Sequence, residues 1–187
     1  IVACGAGSSP EIMQAIFSGP QKWIVMLAPL AMVFFLSFNI ATMSPTTART
    51  WFFAYAAATG LSLSVIFLIY KLGSIVTVFF ATAGMFGAMS IYGHTTKRNL
   101  AEYSSYFMMA LFGVIIAGLL NLFVQSSGFS LAISLVSVVL FAGLTAYDVQ
   151  MLRDMYDSLN DEDRERAGVM GALSLYLDFI NMFLNLL

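Results

Sequence analysis

Two aspartates stand where chemistry would be done. Asp148 lies in "GLTAYDVQML" and Asp178 in "LYLDFINMF", each inside a run of otherwise apolar residues. An aspartate at the centre of a membrane helix costs about 2.5–3.5 kcal/mol on the insertion scale, and ionisable residues found there face a bundle interior or a water-filled path. Asp178 is about ten residues into its run, roughly 15 Å along a helix rising 1.5 Å per residue. Asp148 lies nearer the charged end of its own run, where the cost is smaller. Two carboxyl groups that meet in low dielectric do not both ionise readily, so the pair shares a proton and titrates as one unit. Such a pair is a proton sensor. Fully ionised, it also offers hard oxygen ligands that suit calcium. The blander alternative is a hydrogen bond between protonated acids that only joins two helices.

The elements that hold these residues follow from spacing. Gly171, Ser174, Asp178, Asn181 and Asn185 recur at steps of three and four, which places them on one face of the last helix. Leu, Phe, Met and Ile occupy its other faces. Lipid does not tolerate a polar stripe, so the stripe is expected to point inward, with the other helices packed around the last one. The preceding helix carries a weaker stripe of Ser130, Ser134, Ser137, Thr145 and Asp148. If the two antiparallel helices face each other, Asp148 approaches Asp178.

Composition sets the class. The 187 residues are 60% hydrophobic and 10% charged, with a mean hydropathy of +0.88, whereas soluble domains are about a quarter charged. The chain is therefore expected to be an all-α, polytopic membrane protein forming one transmembrane domain over residues 1–187. Six complete spans are expected at 22–43, 47–70, 73–93, 104–125, 129–152 and 168–187, each near the about 20 residues a crossing needs. A partial span over 1–7 brings the bundle to seven helices; "IVACGAGSS" reads as the tail of a membrane helix, not as a signal peptide. The stretch "RDMYDSLNDEDRERAG", 153–168, is aqueous. Arg49, Lys97, Arg98, Arg153, Arg164 and Arg166 fall on one side, Lys22 and Lys71 on the other, so the first side and the N-terminus are expected to be cytoplasmic.

Smaller signals follow. Ala83, Gly84, Gly87 and Ala88, and the pair Gly113 and Ala117, are expected to mark close helix contacts. Pro29 should kink its helix and free a carbonyl near Val25. Asn39 and Asn121 are expected to face the bundle, and His94 to be interfacial. A net charge of −2 gives no reason to expect nucleic acid, and the single cysteine, Cys4, allows no internal disulfide. No metal-ligand cluster, nucleotide-binding glycine loop or nucleophile–base pair is written in the sequence. Neither a cofactor nor an enzymatic activity is expected.

At "GLTAYDVQML" and "ALSLYLDFINMFLNLL" the chain resembles the Bax inhibitor family, the transmembrane Bax-inhibitor-motif proteins, and "MSPTTART" and "YGHTTKRNL" are similar to loop signatures of its bacterial branch. The resemblance covers essentially the whole chain. It implies seven membrane helices with the last at the centre, a bacterial inner-membrane location, and a pH-sensitive calcium leak stimulated by acid. Calcium and protons would then be transported or sensed, not bound as cofactors. By motif match, Asp148 and Asp178 would be the sensor and transient calcium contact, supported by Ser174, Asn181 and Asn185. One departure stands out. In the calcium-leak bacterial member an arginine at the end of the second helix latches one aspartate, but "NIATMSPTTAR" holds Thr42 or Met43 at that point. Arg49 is the nearest arginine, about two helical turns on. Either Arg49 reaches back, or the latch is missing.

Two other functions compete with the leak. Aspartates on consecutive membrane helices resemble an intramembrane aspartyl protease, in which a proton-sharing dyad activates water. Such enzymes carry glycines around the second aspartate; here Tyr176 and Leu177 crowd it, and no Pro-Ala-Leu segment follows. The other is a regulatory role towards a membrane protease or the cell-death and stress machinery, as described for some family members, although no docking motif is present. The sequence leaves the oligomeric state open.

Overall fold

Within lipid a chain must satisfy its own backbone, and a helix does so inside each apolar run. The computed structural model describes residues 21–40, 42–156 and 159–187, with Ala3 and Gly19 before them, and no strand occurs among them. The helices are α1 (Gln21–Asn39), α2 (Pro45–Leu63), a short α3 (Ile66–Ile69), α4 (Leu72–Thr95), α5 (Ser104–Val124), α6 (Ser127–Tyr156) and α7 (Asp161–Leu186), with a 3-10 turn at Leu100–Tyr103. They supply six stretches long and apolar enough to cross a membrane, which correspond to the six complete spans expected. The partial span expected over residues 1–7, and Cys4 with it, lies outside the described residues, Ala3 apart.

The chain divides into two compact units, Ile1–Ile75 with Asn160–Met170, and Val76–Leu159 with Gly171–Leu187. In the first unit, Pro29 lies inside α1. A proline lacks the N–H that would bond the carbonyl four residues earlier, and that carbonyl, on Val25, accepts instead from the Ser62 hydroxyl of α2. Ser44 caps α2, accepting from the Thr47 N–H at 3.3 Å, and Pro45 fills the first helical position. The expected span 47–70 is not one uninterrupted helix. Buried Ser64 donates its hydroxyl to the Leu61 carbonyl at 2.6 Å, and the helix breaks at 64–65 before α3. A serine that bonds a nearby carbonyl competes with the ladder in this way. Ile40, Ala48 and Val169 form a small core here, with Met43 and Phe52 against it.

The second unit holds most of α4, with α5, α6 and the greater part of α7. Helix α5 has no fully buried residue: its half-buried side, with Phe107 against Gly143, meets α6, and Phe112, Ile116 and Phe123 are exposed on the other side. It ends at Gln125, which adopts a left-handed conformation (φ 50°) and donates its N–H to the Asn121 carbonyl at 2.8 Å. Gln150, buried on α6, ties the α4–α5 connection down. Its amide oxygen accepts from the Leu100 N–H at 2.6 Å, and its amide nitrogen donates to the Arg98 carbonyl at 2.8 Å.

One expectation is corrected. A methyl group on Gly84, Gly87 or Gly113 would meet no other atom within 4 Å, so these glycines do not mark tight crossings. The close approach is at Gly93, where a Cβ would strike the Ala146 backbone, and at Gly143, 2.8 Å from the Phe107 ring. The charged 153–168 stretch is also largely helical: α6 runs on to Tyr156 and α7 begins at Asp161. Asn160 caps α7 by accepting from the Asp163 N–H at 2.9 Å. Hydropathy marks where the bilayer ends, not where a helix ends.

Candidate functional site

The site lies within the second unit, on the facing ridges of α6 and α7. Phe141, Thr145, Asp148 and Leu152 follow one another at helical steps along α6. Gly171, Ser174 and Asp178 do the same on α7. Leu152 packs where a Cβ on Gly171 would be, so a glycine there lets the two ridges meet. From that point the pairings run antiparallel. The Ser174 hydroxyl hydrogen-bonds the Asp148 carboxyl group, and the Thr145 hydroxyl bonds that of Asp178. Each acid is thus engaged by a hydroxyl from the opposite helix. The two acids lie on facing helices, near enough for the Asp148 charge to bear on Asp178, and no hydrogen bond joins them directly.

Burial is nearly complete. Thr145 is 0% exposed, Asp148 9% and Asp178 5%. Asp178 Oδ2 has no hydrogen-bond partner, and neither aspartate is in an ion pair among the described residues. Helix α4 closes the flank of α7: the Phe179 ring meets Phe79 and Phe86 edge-on at 5.7 and 5.6 Å.

Thr145 has a choice to make. Its hydroxyl lies 2.8 Å from the Phe141 carbonyl and also reaches Asp178, but it carries a single proton. Given to the carbonyl, that proton leaves an oxygen that can only accept, which fits a protonated Asp178. Turned to Asp178, it stabilises the ionised acid and releases the carbonyl. The residue therefore serves either protonation state by rotating one bond.

The supporting residues divide. Ser174 belongs to the pair. Asn181 and Asn185 lie along the same helix but are only half-buried, and fully buried Met182 sits between them. Their amide nitrogens turn back to the Leu177 and Asn181 carbonyls, both at 2.8 Å, which directs their amide oxygens away from their own backbone. Arg49 lies in the first unit and pairs with Glu165 at 3.4 Å. On α6, Ser137 is buried, but Ser130 is exposed. Asn121 keeps a buried, unpartnered Oδ1, and exposed His94 gives its carbonyl to Arg153. Gln150 was not singled out from sequence. Its only signal was a second polar residue two positions after Asp148.

No group of three or more His, Cys, Asp or Glu that could hold a metal occurs among the described residues. The two acids offer carboxylate oxygens for a passing cation, not a closed cage.

Comparison with known proteins agrees with this architecture. A family model described as "Inhibitor of apoptosis-promoting Bax1" matches residues 1–187. The chain is 42% identical over 190 residues to the inner membrane protein YbhL of Escherichia coli K12, covering 100% of this chain and 81% of that one. It is 44% identical over 190 residues to an uncharacterized protein of Borreliella burgdorferi, covering 100% and 82%. It is 46% identical over 181 residues to the uncharacterized protein RP147 of Rickettsia prowazekii, covering 96% and 77%. The chain belongs to the Bax inhibitor family, and is a multi-pass protein of the bacterial inner membrane.

Proposed function

We propose that the protein is a pH-sensitive calcium leak, with Asp148 and Asp178 as its proton sensor and transient cation contact. The observation that carries this reading is the Asp178 carboxyl group: buried, facing a second acid, and with one oxygen free of any partner. A purely structural acid would have both oxygens satisfied, since buried polar groups left unpaired are costly. Here the vacant lone pairs await a proton or a cation.

The chain's own residues supply the steps. With one proton between them, the acids carry a single negative charge and Thr145 and Ser174 hold them in place. With that proton lost, two like charges face each other in a poor dielectric. Relief comes from a cation, from water, or from separation of α6 and α7. A second proton removes the negative charge, and with it the attraction that would retain calcium. Acid stimulation of the leak follows from this release and matches the family resemblance.

The test is calcium flux into liposomes carrying an enclosed calcium dye, across a series of buffer pH values. Flux should rise towards acid for the native protein, become flat for Asp178→Asn, and keep a displaced pH profile for Asp148→Asn. Native flux and pH profile in both variants would rule the reading out.

A further inference from the structure

We propose that Leu152 is the apolar gate of the leak: seated against Gly171, it separates the aspartate pair from water at the charged end of α6. The inference rests on the leak reading and deepens it by naming the residue that closes the path. It begins with how three glycines are met. At Gly93 the neighbour is the Ala146 backbone, and at Gly143 it is the Phe107 ring. At Gly171 it is the end of the Leu152 side chain, with Cγ and both methyl groups crowding the place of a Cβ. Backbone and ring are fixed, whereas a leucine end swings between staggered rotamers without moving its helix. Of these three close approaches, only the one at Gly171 is filled by a part that can leave.

Position gives that contact a task. Along α6 and α7, Leu152 meets Gly171, Asp148 meets Ser174 and Thr145 meets Asp178. Leu152 is thus one helical turn, about 6 Å, beyond Asp148. The next two residues, Arg153 and Asp154, already reach water, their side chains 34% and 59% exposed. In the other direction the two ridges continue with Phe141 and Met182, which are 8% and 0% exposed. A single half-buried leucine therefore stands between the acids and water on the side where water is nearest. An apolar constriction stops ions by staying dry and passes them once it wets. Gly171 supplies the notch, and a side chain there would push Leu152 out of it.

Carbodiimide labelling tests the gate without relying on flux. The reconstituted protein would be treated with a water-soluble carbodiimide and glycinamide, and amidation followed by mass spectrometry. Exposed Asp154 is the internal reference. Leu152→Ala removes the plug, and Gly171→Ala displaces it while leaving it in the chain. Each should speed amidation at Asp148 about tenfold, a shift of about 1.4 kcal/mol away from the sealed state, and leave Asp154 unchanged. Leu152→Met keeps the bulk and should stay near native. In liposomes at alkaline pH, where the native leak is small, both alanine variants should pass calcium about tenfold faster. A contact that only packs would lose thermal stability and gain neither labelling nor flux, and that result would overturn the proposal. Faster labelling without added flux would overturn it too, because Leu152 would then shield the acids without closing the path. If Leu152→Ala does not fold, Gly171→Ala decides alone, since the atoms it meets are the movable end of one side chain. If Asp178→Asn flattens the pH profile while both alanine variants match native, the gate fails and the leak stands. If both aspartate variants behave as native, the leak fails, and labelling still decides whether Leu152 keeps water from the pair.

Discussion

The two ends of helix α7 carry charge in opposite ways. At its start, Glu165 pairs with Arg49 at 3.4 Å and Arg166 with Asp163 at 3.2 Å, and Arg166 also donates to the Met43 carbonyl at 3.0 Å. The first pair is half-exposed, with both side chains in reach of water. Further along, Asp178 is buried, has no cationic partner among the described residues, and leaves one oxygen bare. Exposed pairs contribute about 0–1 kcal/mol because water screens them. A buried, uncompensated acid costs far more and is retained only where its charge or its proton is used. The start of the helix is fastened by charge, whereas its membrane-embedded part holds a buried acid that no cation offsets among the described residues.

Substitutions sharpen this contrast, beginning with the largest effect. Asp178→Asn keeps the shape and removes the exchangeable proton, so the pH dependence of calcium flux should vanish. Adding Asp148→Asn should change little more, because the acids act as one unit. An additive double variant would show that they titrate separately. Gln150→Leu strands the Leu100 N–H and the Arg98 carbonyl. Thermal unfolding in detergent should show a loss of about 1–3 kcal/mol, and unchanged stability would mean that the α4–α5 connection is held by other contacts. Thr145→Val, which deletes the hydroxyl at constant shape, should move the flux midpoint by about one pH unit, equivalent to about 1.4 kcal/mol; Thr145→Ser should restore it. The smallest effect belongs to Arg49→Ala. Stability should fall by under about 1 kcal/mol and the pH profile should stay where it is. A shifted profile would show that Arg49 acts on the sensor.

How much of this could be read from sequence depended on how unusual a residue was in its surroundings. Asp148 and Asp178 were legible because a charge in an apolar run has few explanations. Thr145 and Ser174 were legible as members of polar stripes, though not as crossed partners of the acids. The carbonyl freed by Pro29 could be foreseen, since a missing N–H is local chemistry. Its acceptance of the Ser62 hydroxyl could not, because Ser62 is 37 residues away on another helix. Small residues misled: Gly84 and Gly87 suggested close packing, yet a glycine does not say which face is buried, and the tight approach came at Gly93 instead. Helices α6 and α7 run past the expected membrane spans to Tyr156 and back to Asp161, because hydropathy marks the apolar crossing and water allows a capped helix to carry charged residues beyond it.

The central claim is that Asp148 and Asp178 share a titrating proton. Infrared difference spectroscopy of the reconstituted protein, stepped between acid and alkaline buffer, observes it directly through the carbonyl stretch of a protonated carboxyl group. A band should appear on acidification, be lost in Asp178→Asn, and shift in Asp148→Asn, because the remaining acid then titrates without its neighbour. A band unaltered by either substitution would contradict the account.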